Sequence, residues 1–157
     1  MTMKRAIPSM NMQGFCNWKQ AAFSLAPLLA LFVVACASTS QMDKSRSDTL
    51  KQYETMIRWS EWDGAVNFIA PEYLEQNPIS RLDLDRLRLF KVTGYTVRST
   101  QVYDEGLTMS QGVEITLFHK SQAVERSIID EQIWRYDQER QAWLLHTGLP
   151  DPTASRY

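Results

Sequence analysis

Cysteine is scarce in this 157-residue chain: Cys16 and Cys36 are the only two. If the first 35 residues are a leader that is removed, Cys16 goes with them and no intrachain disulfide can form. The remaining domain must then hold together by packing. Long apolar runs are missing too. The longest apolar block, 21–34, contains Ser24 and Pro27 and falls short of the roughly 20 apolar residues needed to span a bilayer. Histidine is limited to His119 and His146, and no spacing of His, Cys, Asp and Glu gathers the three or four ligands of a metal centre, so neither metal nor cofactor is expected. Gly-x-Ser-x-Gly, phosphate-binding glycine loops and His-Glu-x-x-His are absent as well.

Residues 1–35 open with Lys4, Arg5 and Lys19 and no acidic residue, continue through the apolar block and end on small residues. That three-part pattern is the one expected of a secretory signal. Met1, Met3, Met10 and Met12 are all possible starts. The block ends in Val33-Val34-Ala35-Cys36 and turns polar at once, as "LLALFVVACAST" shows. These four residues resemble the lipobox of bacterial lipoproteins. The resemblance implies cleavage between Ala35 and Cys36, a diacylglyceryl group on the Cys36 thiol and acylation of the new amino group. Two or three acyl chains hold a protein on a membrane where one binds reversibly, at about 0.8 kcal/mol per buried methylene. Ala37 follows where inner-membrane lipoproteins usually carry aspartate, so the resemblance implies outer-membrane delivery, facing the periplasm. An uncleaved inner-membrane anchor is the other possibility.

Loss of the leader lowers 17 Lys and Arg to 14 against 18 Asp and Glu, a net charge of −4. With both signs interspersed, as in "DLDRLRLFK" and "DEQIWRYDQER", no basic face forms for nucleic acid. Residues 36–47 read as a lipidated flexible tether, polar and without apolar period, whose "ASTSQMDKSRS" part reaches on the order of 35 Å when extended. Residues 48–157 read as one domain.

Within it, Leu50, Tyr53 and Met56 or Ile57 recur at helical spacing. Ser60-Glu61-Trp62-Asp63 has the form of a capping box and opens a second helix that Pro71 stops. Ser80 and Asp83 are placed to cap a third, brief helix, with Leu87 either ending it or beginning a strand. Beyond Phe90 the period becomes two. Phe90 and Val92 share one parity and Tyr95 and Val97 the other, which predicts a bulge at Gly94. Val113, Ile115 and Leu117 alternate with polar residues, and strands over 128–136 and 143–147 complete the set. The fold class is α+β: N-terminal helices packed on a curved antiparallel β-sheet.

This order of elements resembles the nuclear transport factor 2-like, or cystatin-like, cone, on the helix corner "YETMIRWSEWDGAVNFIAPEYL" and the closing hairpin "IWRYDQERQAWLLHTGLP". It is also similar to small uncharacterised proteobacterial lipoproteins with the same ending. The superfamily includes enzymes, small-molecule binders and assembly domains, so membership leaves function open. A pocket in the cone is expected near Tyr95, Glu114, His119 and Trp134. Glu114 opposes the apolar parity and points outward, His119 ends its strand on that parity, and Trp134 and Trp143 are placed to meet across the hairpin. Asp63 is conceivable as a base but is better explained as a capping residue. The leading expectation is a non-catalytic domain binding an envelope protein or a small apolar ligand. The alternative is a small isomerase or dehydratase using a carboxylate or histidine in the pocket.

Overall fold

The structure is a computed structural model that describes residues 26–122 and 124–153, with side chains from residue 41 onward. The chain divides into two units, Met1–Ser40 and Gln41–Tyr157. Of the first, the backbone of 26–40 is described and is helical. The signal-peptide features of residues 1–25 and the side chain of Cys36 lie outside the described residues.

Helix α1 covers Ala26–Trp59. It is followed by α2 (Trp62–Val66), α3 (Pro71–Gln76) and α4 (Arg81–Leu87), then by β1 (Phe90–Tyr103), β2 (Thr108–His119), β3 (Glu125–Asp137) and β4 (Ala142–Leu145). The strands form one antiparallel sheet in the order β1-β2-β3-β4. The architecture is therefore α+β with the helices preceding the sheet.

Residues 36–47, expected to be a flexible tether, lie within α1, with side chains described from residue 41. These side chains explain the order. Met42 packs against the core, Arg46 bonds Asp43 at 2.8 Å one helical turn away, and the Arg46 guanidinium lies 5.5 Å from the ring centre of Trp143. Farther along, Tyr53 and Ile57 are fully buried and Leu50 and Met56 partly so, the face that the helical spacing predicts.

The corner after α1 departs from the expected capping box. Ser60 takes a left-handed conformation (φ 61°), and its hydroxyl accepts from the Val92 amide at 3.1 Å, tying the corner to β1. Glu61 occupies the cap position without a side-chain bond, and the Asp63 carboxylate receives the Arg88 guanidinium at 2.6 and 2.7 Å, linking α2 to the end of α4. Pro71 opens α3 rather than merely ending α2, because a proline at the first helical position loses no hydrogen bond. Ser80 and Asp83 do form a reciprocal capping box on α4, and Leu87 ends that helix with its side chain buried.

In β1 the register shifts between Val92 and Gly94, the bulge that the parity change predicts, and again between Val97 and Ser99. Trp134 and Trp143 are not directly opposite each other. Trp134 pairs with Leu145 and Trp143 with Tyr136, two residues from the expected register, because Asp137 takes the Glu139 and Arg140 amides and closes a longer turn. Both indoles are nonetheless buried, and Tyr53 packs edge-on against Trp134 at 5.1 Å. The core therefore lies between α1, α2 and one face of the sheet.

Candidate functional site

Side chains pointing from β3 to the helix-covered face are Ile128, Asp130, Gln132, Trp134 and Tyr136, in alternation with the exposed Ile129, Glu131, Ile133 and Arg135. A carboxylate and an amide thus sit among large apolar groups. Gln132 is 1% exposed and acts as a hub. Its Oε1 accepts from Trp134 Nε1 at 3.2 Å and from the Tyr95 hydroxyl at 3.4 Å. Its Nε2 donates to Asp130 Oδ2 at 2.7 Å and to Tyr95 Oη at 3.2 Å. Indole N–H can only donate, so it fixes which end of the amide is oxygen and turns the NH₂ group toward the carboxylate.

Burial pushes the Asp130 carboxyl up to about 6, against the opposing bond from Gln132, and Glu131 adds to the rise. Burial likewise pushes Tyr95 up to about 12. Tyr53 from α1 is raised well above its usual range, first by burial and then by the charges of Asp130 and Tyr95. Its hydroxyl is buried without a hydrogen-bond partner. Gln111 of β2, 6% exposed, completes the polar group, opposite Gln132 in the sheet. The site is therefore a part-buried carboxylate backed by an amide and two phenols.

Of the residues expected to line a pocket, Tyr95 and Trp134 converge on this hub. Glu114 alternates with the buried Val113 and Ile115 and accepts from Arg98 Nε at 2.8 Å. His119, at the end of β2, packs edge-on against Phe90 at 5.0 Å, and its Nδ1 bonds Ser121. Tyr95, Glu114 and His119 therefore occupy separate settings. Asp130 and Gln132 escaped the sequence reading. Their parity with Ile128 and Trp134 was the available signal, since a charged residue in phase with a buried stripe is uncommon.

Apart from this buried hub, a groove of about 320 Å³ runs between the α3–α4 segment and residues 148–153 and is lined by Tyr73, Ile79, Leu87, Phe90 and Leu149, among others. Its acidic groups are engaged locally: Asp83 caps α4 and Asp151 accepts from Thr153. The hub around Gln132 thus carries the more unusual chemistry. His146 is held below its usual range by burial and then by Arg135. Among the described residues no His, Cys, Asp and Glu side chains gather in a set that could hold a metal ion, and no helix is long and apolar enough to cross a membrane.

Comparison with known proteins leaves the chain to its own residues: no protein-family model, no curated protein and no solved structure matches it.

Proposed function

We propose that this chain is an outer-membrane lipoprotein whose periplasm-facing α+β domain, a nuclear transport factor 2-like cone, binds an envelope protein or a small apolar ligand. One observation carries the reading. The apolar block of a basic-headed leader ends on Val33-Val34-Ala35-Cys36, and polar sequence follows at once. Acyl chains on Cys36 confine the domain to two dimensions and raise its effective concentration near membrane-bound partners.

One feature of the folded unit supports the binding part. The two bulges in β1 strengthen the local twist of the sheet, the kind of curvature a cone requires. Replacing Cys36 by serine should leave an unprocessed precursor and release the protein from outer-membrane fractions. Unchanged size and location would remove the lipid anchor from the account.

A further inference from the structure

The two edges of the sheet are finished differently. Along β4 the edge is closed: Ile69 bridges Leu145, the Ala70 amide donates to the Leu145 carbonyl at 2.8 Å, and the Leu145 amide donates to the Phe68 carbonyl at 2.7 Å. β1 is closed only at its start, where the Val92 amide donates to the Ser60 hydroxyl at 3.1 Å and the Lys91 ammonium to the Trp59 carbonyl at 3.4 Å. From Thr93 to Tyr103 its backbone bonds nothing among the described residues except β2. Alternate N–H and C=O groups along this length therefore point away from the sheet. Open edges are ordinarily guarded by lysine, proline or a bulge. Both register shifts of β1 lie before Ser99, and the Arg98 guanidinium is taken up by Glu114. That leaves Ser99–Tyr103, "STQVY", regular, uncharged and without proline or glycine, with Val102 49% and Tyr103 45% exposed.

We propose that this edge joins a second copy of the chain, β1 against β1 in antiparallel pairing about a two-fold axis at Gln101. The strand is complementary to itself in that register. Thr100 and Val102 stand opposite the buried Gln111 and Met109 on the helix-covered face, and Ser99, Gln101 and Tyr103 alternate with them on the other face. An axis at Gln101 sets Ser99 opposite Tyr103 of the second copy and Thr100 opposite Val102, so each pair shares a face. An axis at Thr100 would instead set Val102 against Arg98, which lies in the bulge and bonds Glu114 on the opposite face. No like charges meet in the favoured register. Because the β4 edge is covered, pairing stops at two copies and gives a closed dimer rather than a filament, with two four-stranded sheets joined into one. The dimer rests neither on the lipid at Cys36 nor on a ligand, so failure of the anchor leaves it untouched.

Hydrogen exchange of the full-length protein in detergent solution, at low and high protein concentration, reads the edge directly. In the dimer, those amides of Ser99–Tyr103 that point away from β2 should exchange at least about tenfold more slowly than in the dilute monomer. Gln101→Cys gives a second reading. Facing residues of an antiparallel pair lie about 4.5–5.5 Å apart at Cα, within disulfide reach, so mild oxidation should yield a dimer linked from 101 to 101, located by peptide mass spectrometry. Ile133→Cys, two strands from the edge on the open face, should yield none. Gln101→Asp brings two negative charges together on the axis and should weaken the dimer at least about tenfold, whereas Gln101→Thr should leave it in place. A protein that stays monomeric, edge amides already slow in the dilute monomer or unchanged in the dimer, the lack of a 101–101 link, or equal dimerisation of the aspartate and threonine variants would each overturn the proposal. The exchange measurement on the unaltered protein decides it even if a variant misfolds.

Discussion

The Gln132 amide donates to Asp130 at 2.7 Å while its oxygen accepts the Trp134 indole N–H at 3.2 Å, so a single side chain orients a carboxylate inside an aromatic core. The amide bond lowers the carboxyl pKa, but burial outweighs it and leaves the group near 6.

A pH dependence of stability follows. The folded-state value near 6 exceeds the roughly 3.9 of an unfolded aspartate, so between these limits the native state binds more protons than the unfolded one. Stability from this group is greatest below pH 4 and is lost as pH rises through about 6. Asp130→Asn should therefore stabilise the protein at pH 8 by on the order of 1–2 kcal/mol, allowing for partial solvent access, and by much less at pH 4. Urea unfolding of both proteins at the two pH values measures this, and a variant equally shifted at both would contradict it.

Tyr53→Phe removes a buried hydroxyl that has no partner and keeps the ring against Phe68 and Trp134. The expected result in chemical denaturation is no loss, or a gain of up to about 1 kcal/mol. A loss above about 2 kcal/mol would mean that this hydroxyl is satisfied in the native state.

Trp134 is fully buried and contacts both Tyr53 and the Gln132 hub. Its replacement by alanine combines a cavity with the loss of one of the two donors to the Gln132 amide oxygen and should cost about 3–5 kcal/mol. Trp59, 68% exposed, provides the contrast: Trp59→Ala should fall within about 0.5 kcal/mol of the parent.

Lys44 and Arg46 fall inside α1, with Met42 on the core and the Arg46 guanidinium against Trp143. Brief trypsin treatment of the native protein should leave both positions intact. Rapid cleavage there would restore the flexible tether and contradict the helix.

The fold was legible where a pattern repeats. Leu50, Tyr53 and Ile57 mark a helix face, the parity change at Gly94 marks a bulge, and Ser80 with Asp83 marks a cap. It was less legible where tertiary contacts decide. Met42 and Arg46 look like tether residues until Trp143 arrives from about a hundred residues later in the chain. Ser60 looks like a cap until its hydroxyl accepts from the Val92 amide. A single turn, at Asp137, shifts the tryptophans out of the expected pairing. At the site, Tyr95 and Trp134 were within reach of parity arguments. Asp130 was missed because a charged residue in a strand reads first as solvent-facing, and recognising it needed the phase of Ile128 and Gln132.

Mass spectrometry of the N-terminal peptide from protein purified out of native membranes tests the central claim most directly. The account predicts a chain beginning at Cys36 and carrying a diacylglyceryl group, with acylation of its amino group where that step occurs. An unmodified N-terminus that still includes the residues before Cys36 would contradict it.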